Sequence, residues 1–166
     1  INESSITGFT TNGTLSCWFN PDDLSAEMTL IDTFNASSSS TNRGLLYVHP
    51  SGTGEVRLIV SGTLVGKYQY TSAQVAVGKW TNYTATIDTT NDVYKLYLDG
   101  EEVTNALSVT ASDSSGIDYI RVGSDKGNDY DFNGQIKDVI HFNDVTLSSE
   151  QVASLYRGSL NIQPYL

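Results

Sequence analysis

The chain is poor in several residue types, and each shortage excludes something. There is one cysteine, Cys17, so no internal disulfide can form. Three prolines in 166 residues exclude a proline-rich or collagen-like chain, and fourteen glycines without a period do not change that. Lys and Arg number nine against nineteen Asp and Glu, a net charge of −10. That balance argues against nucleic acid, whose binding rests on basic side chains neutralising phosphates. No apolar run approaches the roughly 20 residues of a membrane span. There is no CxxC metal pattern, phosphate loop or nucleophile elbow. No internal repeat and no stretch long enough for a domain linker occurs. The first residue is Ile and no signal peptide is visible, so the chain reads as a mature or excised piece of a larger protein. The tail Asn161–Leu166 is expected to lead toward another domain.

What is present is Thr, Ser, Val, Ile and Tyr, with few helix formers, a composition that favours an all-β domain. One domain is the simplest division of this length. Thr14–Asn20, Met28–Phe34, Gly44–His49, Glu55–Val60, Thr63–Tyr70, Trp80–Ile87, Val93–Leu98 and Glu101–Thr104 read as short strands broken by turn formers. Pro50–Gly54 marks one hairpin and Asp99-Gly100 a tight two-residue one. Strict alternation in Leu15-Ser-Cys-Trp-Phe19 puts Cys17 with Leu15 and Phe19, as a buried and inert thiol.

The stretch Ile117–Tyr156 organises the end of the chain. A strand closes at Gly123. A turn-rich acidic loop, Ser124–Asp131, follows, and Asn133-Gly134 opens a second strand through Phe142. The period then changes. Ser148 with Gln151 is a capping box, Glu150 suits the first turn, and Val152, Leu155 and Tyr156 make one apolar stripe. Gly158 sits where a left-handed stop belongs. One short helix cannot stand alone and must pack on a sheet. The expected fold is a two-sheet antiparallel jelly-roll sandwich with one short C-terminal helix.

Three segments carry a resemblance that spans nearly the whole chain. They are Thr14-Leu-Ser-Cys-Trp-Phe-Asn-Pro21; Gly78-Lys-Trp80 through Lys95-Leu-Tyr-Leu-Asp-Gly100; and Phe132–Asp138 through Leu147-Ser-Ser-Glu150 to Leu155-Tyr156. Together they resemble a laminin-G-like jelly roll of the concanavalin A-like superfamily, in the branch that includes pentraxins and bacterial and phage surface domains. The resemblance implies glycan binding, adhesion or, in some members, glycoside hydrolysis. It also implies a location on a cell, matrix or virion surface. Trp18 and Trp80 match framework positions and are expected in the core.

The hydrolases of that superfamily carry alternate carboxylates on one strand, of the type Glu-x-Asp-x-x-Glu, and no such cluster is found here. Glu101 and Glu102 are adjacent and read as a solvated hairpin flank. His49 and His141 are far apart, and His141 reads as structural. The expectation is therefore a non-catalytic module that recognises a glycan or a surface protein. Two alternatives remain: a structural or decoration domain of a phage or surface protein, and a degenerate glycosidase.

The acidic loop occupies the place of the pentraxin calcium loop, and Asp125, Asn128, Asp129 and Asp131 are candidate ligands of a weakly bound calcium ion. Asn42 stands where the pentraxin site is completed, beside Arg43, which departs from that pattern. Asp138 corresponds to a structural cation position of other members. Sugars need aromatic platforms beside polar groups. Tyr68 and Tyr70, on one face of a strand, and Tyr130, in the acidic loop, are the candidate binding surface, with Asn42. Asn-x-Ser/Thr sequons at Asn2, Asn12, Asn35 and Asn82 matter only in a secreted eukaryotic chain.

Overall fold

A computed structural model describes residues 2–9, 12–35, 43–49, 54–61, 63–103, 105–106, 117–127 and 129–158. Among these residues, twelve strands and one helix follow in order: β1 (Asn2–Phe9), β2 (Gly13–Pro21), β3 (Met28–Phe34), β4 (Arg43–His49), β5 (Glu55–Val60), β6 (Thr63–Gln69), β7 (Thr81–Asp88), β8 (Val93–Leu98), β9 (Glu101–Glu102), β10 (Asn105–Ala106), β11 (Ile117–Val122), β12 (Gly134–Asn143) and α1 (Ser149–Tyr156). They form a seven-stranded sheet, β1-β11-β3-β4-β5-β6-β10, and a five-stranded sheet, β12-β2-β7-β8-β9. Every pairing is antiparallel. The all-β sandwich with one late helix is the fold expected from the sequence. No helix among the described residues is long and apolar enough to cross a membrane.

Alternation builds the core between the sheets. Leu15, Cys17 and Phe19 from β2, Tyr83, Ala85 and Ile87 from β7, and Tyr94, Leu96 and Leu98 from β8 face inward. They meet Val56, Leu58 and Val60 from β5 and Leu46 and Val48 from β4. Cys17 is fully buried, and burial pushes its thiol pKa far up, so it is inert as expected. Trp18 departs from expectation. It is half-buried and outside the core, because alternation sends it to the opposite face from Cys17. Trp80 is likewise outside the core cluster.

The central strands of the five-stranded sheet, β2 and β7, bury both faces. Their outer face carries Thr14, Ser16, Asn82, Thr84 and Thr86, all nearly inaccessible. Such polar groups must be hydrogen-bonded to be tolerated there. Ser16 and Thr84 share a bond of 2.7 Å, Thr84 donates to Asn82 at 3.1 Å, and the Asn82 amide donates to the Cys17 carbonyl at 3.2 Å. With its side chain so engaged, Asn82 is no glycosylation acceptor in the folded chain. The strap before the helix is tied down by threonines. Thr14 donates to the Val145 carbonyl at 2.8 Å and accepts from Leu147 N–H at 3.0 Å, while Thr146 donates to the Ile87 carbonyl at 3.1 Å. The capping box forms as the sequence indicates: Ser148 accepts from Gln151 N–H, and the Gln151 side chain accepts from Ser148 N–H. Val152 then closes over Tyr97 and Leu147, with Phe142 and Leu155 beside them.

The Asp99-Gly100 turn fixes where α1 ends. Both residues have positive φ, +50° and +80°, as a tight hairpin of this twist demands. A side chain started at Gly100 would lie 2.9 Å from Cβ of Tyr156. Gly100→Ala is expected to cost about 2 kcal/mol or more, from left-handed strain plus displacement of the helix. Gly78→Ala shares the positive φ (+75°) but meets open space, and is expected to cost only about 1 kcal/mol. Urea denaturation of the two variants separates the helix contact from the backbone term.

His141 lies mostly buried in β12, and burial lowers its pKa from 6.5 to about 4, against the opposing pull of Asp144. The neutral form is thus favoured in the folded state. Its contribution to stability is complete above the unfolded value of 6.5 and is lost as pH falls from there to about 4. Wild type is expected to lose more melting temperature across that window than His141→Leu, whose profile lacks this titration.

Candidate functional site

The outer face of the seven-stranded sheet has no helix over it among the described residues, and cross-strand register assembles a row of side chains there. Thr29, Tyr47, Arg57 and Lys67 stand opposite one another on β3, β4, β5 and β6. Tyr47 lies between Leu46 and Val48, and Arg57 between Val56 and Leu58, so alternation turns both away from the core. Glu55 pairs with Arg57 at 2.7 Å and with Lys67 at 3.7 Å. The Tyr47 hydroxyl donates to Glu27. Burial and that carboxylate raise the Tyr47 pKa far above its usual value.

The acidic loop reaches over this row. Thr29 N–H donates to the Tyr130 carbonyl at 2.9 Å, which seats the loop on β3. The Tyr130 ring meets the Tyr47 ring edge-on, with centroids 5.6 Å apart and planes at 79°. Tyr130 keeps 39% of its surface exposed while Tyr47 keeps 5%. The result is an exposed aromatic ring on a buried one, bordered by Glu27, Arg57, Glu55 and Lys67. Carboxylates accept from hydroxyls, cations donate, and the ring offers a flat apolar face.

The rest of the loop is braced by the protein itself. Asp125 is 3% exposed, and its carboxylate accepts from Asp129 N–H at 2.9 Å. Arg121 donates to the Asp125 carbonyl at 2.7 Å and to the Lys126 carbonyl at 3.1 Å. Lys126 N–H donates to the buried Asp32 carboxylate at 2.8 Å, and Lys126 Nζ donates to the Asn35 carbonyl at 2.9 Å. Arg121 and Lys126 both lie over the Phe34 ring, which stacks on Tyr119.

The predicted ligands are only partly brought together. Asp125 and Asp129 flank Gly127: oxygens of their carboxylates lie 3.4 and 2.6 Å from where a side chain there would start. Asp131 is exposed. Asn128 and Asn42 lie outside the described residues. Among the described residues no three Asp, Glu, His or Cys side chains gather as cation ligands. Two carboxylates with two fixed cations braced on the same loop are a poor donor set for a hard dication. Asp138, on β12, belongs to the other sheet.

Tyr68 and Tyr70 share a face of β6 and its extension, but it is the core face. Both pack against the sandwich interior, Tyr68 exchanges weak bonds with Gln74 (3.3–3.5 Å), and the Tyr70 ring closes over Gly54. They do not join Tyr130. Tyr47, Arg57 and Lys67 were missed because a lone Tyr or Lys in a strand signals nothing until register is known; the cross-strand row is the missing information. Glu101 and Glu102 are exposed, with Glu102 paired to Lys95 at 2.9 Å, as expected of a hairpin flank.

Comparisons with known proteins agree on the architecture. A family profile described as the Concanavalin A-like lectin/glucanases superfamily matches residues 1–153. No curated protein matches the chain by sequence. Among solved structures, a native heptameric SAP-like pentraxin from Limulus polyphemus is similar with TM-score 0.71 and 15% identity, over 98% of this chain and 77% of that one. The IT-sialidase CBM40 of Ruminococcus gnavus is similar with TM-score 0.67 and 18% identity, over 94% of this chain and 97% of that one. Domain 4 of AbnA, a GH43 extracellular arabinanase from Geobacillus stearothermophilus solved with arabinotriose, is similar with TM-score 0.57 and 19% identity, over 92% and 71%. At these identities the likeness is one of fold.

Asp32→Ala is expected to cost about 2 kcal/mol, because it leaves the Lys126 N–H unbonded over a buried site. Amide exchange at Lys126 and Asp129 is expected to accelerate while β7 stays protected. Unchanged exchange at both would show that Asp32 does not hold the loop.

Proposed function

The chain belongs to the concanavalin A-like lectin/glucanases superfamily, and from that membership we propose that it is a non-catalytic carbohydrate-recognition module acting at a cell, matrix or virion surface. The observation that carries this reading is the Tyr130–Tyr47 pair on the outer face of the seven-stranded sheet, with Glu27, Glu55, Arg57 and Lys67 around it. An exposed ring stacks on the C–H face of a sugar, and the charged groups exchange hydrogen bonds with its hydroxyls. Arg57 and Lys67 offset Glu55 and Glu27, while the exposed Asp129 and Asp131 flank Tyr130, so the patch keeps a net negative charge, which suits a neutral glycan rich in hydroxyl donors over an anionic one. Relatives of the same fold hold sugars: the CBM40 of Ruminococcus gnavus has been solved with α2,3 sialyllactose, and the arabinanase domain with arabinotriose.

The non-catalytic reading rests on chemistry. Glycoside hydrolysis needs two carboxyl groups flanking one bond, one as acid and one as base or nucleophile. Here Glu55 is held by Arg57 and Lys67, and Glu27 accepts from Tyr47, so both act as fixed acceptors. Calcium enters as an assistant at most. Asp125 is almost fully buried and already accepts from Asp129 N–H, and no third acidic ligand gathers beside it among the described residues, so recognition is proposed to proceed without the ion.

The test is a glycan array with the isolated domain, run once with calcium and once with chelator. Binding to the same glycans is expected in both. Tyr130→Ala is expected to weaken it at least tenfold, about 1.4 kcal/mol, at unchanged stability. Binding only with calcium would return the loop carboxylates to the site. No binding in either condition would sink the proposal and favour a structural or assembly role.

A further inference from the structure

The five-stranded sheet carries a second recess, on the opposite side of the sandwich. Helix α1 covers only part of the outer face. Beyond it lies an open cleft of about 370 Å³, at the small end of the ligand-pocket range. Ser16 and Asn82 lie among its lining residues with Trp18, Ile140 and Tyr156, and Asp138 also borders it. The Trp18 and Tyr156 rings stack with centroids 5.5 Å apart and planes at 25°.

Asp138 is placed there by a break in the ladder. Lys137 stands opposite Trp18 and Ile140 opposite Ser16, so Asp138 and Val139 together oppose Cys17. Val139 takes the inward place and packs on the core. Asp138 is left over at φ +50°, a left-handed conformation uncommon for a side chain outside glycine. Among the described residues no hydrogen bond or ion pair reaches its carboxylate, and the Tyr156 hydroxyl also lacks a partner. The fold thus holds a solvent-exposed acid, without a partner among the described residues, in a left-handed backbone beside an aromatic pair.

Charge narrows what can enter. Lys137 already lies over both Trp80, at 4.5 Å, and Trp18, at 5.7 Å, so the cation–π place is filled from within. An anion meets Asp138 and a chain of net charge −10. An uncharged ring bearing hydroxyls satisfies what remains: it can donate to Asp138, exchange a bond with Tyr156, and lay an apolar edge on Ile140 and the rim of the indole, whose faces Tyr156 and Lys137 occupy. We propose that this cleft is a second saccharide site, which takes one neutral sugar unit. Nothing in it depends on the Tyr130 patch, which lies across the sandwich.

The test is titration of the isotope-labelled domain with galactose, arabinose, lactose and cellobiose at millimolar concentration, read by NMR. With two tryptophans in the chain, the two indole N–H signals report directly. At least one sugar is expected to shift the Trp18 indole and the Asp138 and Ile140 amides along one saturable curve. Asp138→Gly removes the carboxylate and suits the left-handed backbone, so it is expected to melt no lower than wild type and to bind at least about tenfold more weakly. Tyr130→Ala is expected to leave these shifts intact, which separates this site from the array result. Absence of shifts with all four sugars, shifts confined to the Tyr130 face, or unchanged binding by Asp138→Gly would each overturn the proposal.

Discussion

Burial of both faces of β2 and β7, at the centre of the five-stranded sheet, is the constraint from which the rest follows. β2 and β7 give apolar side chains to the sandwich and hydroxyls and amides to the other side, and neither set can be left wet or unpaired. Ser16, Asn82 and Thr84 answer by bonding to each other and to the Cys17 carbonyl. Thr14 and Thr146 answer by gripping the strap that leads to the helix. The helix is therefore positioned by polar needs of the sheet as much as by its own apolar stripe. A cover of eight residues is too short to reach everywhere. The recess beside the stacked Trp18 and Tyr156 is where it stops.

The seven-stranded sheet solves the opposite problem. Its inner face fills the core, while on its outer face, among the described residues, the acidic loop seats on β3 and β4 at Tyr130, through Thr29 and Tyr47. Rigid strands on one side and a loop fixed by Asp32 and Arg121 on the other hold the aromatic pair with little freedom left to lose. Preorganisation of this kind matters for sugar ligands, whose hydroxyls must trade water for protein at little net gain.

Much of this was legible in the sequence. Met28–Phe34, Glu55–Val60 and Val93–Leu98 have the bounds read from alternation, and the Ser148–Gln151 box caps the helix as read. Asp99-Gly100 turns as such a dipeptide should. β1 was not seen, since Asn2–Phe9 carries too few alternating apolar residues to signal a strand, and its pairing with β11 is long-range. Tyr68 and Tyr70 share one face, as alternation requires, but that face packs on the core instead of forming the expected binding surface. Period two says which residues travel together; it does not say which set meets the core. Trp18 was assigned to the core from family likeness although the alternation that buries Cys17 already turned it out. The patch around Tyr47 needed three strands in register, information that lives between segments.

The break at Asp138 has a consequence beyond ligands. β12 is the longest strand and lies at an open edge of its sheet; the other edge, β9, has two residues. An unbroken ten-residue edge is a template on which another chain can add a strand. The bulge twists that edge out of line and plants a negative charge at its middle. The domain can then be crowded among copies of itself, as on a densely decorated surface, without its sheets growing into one another.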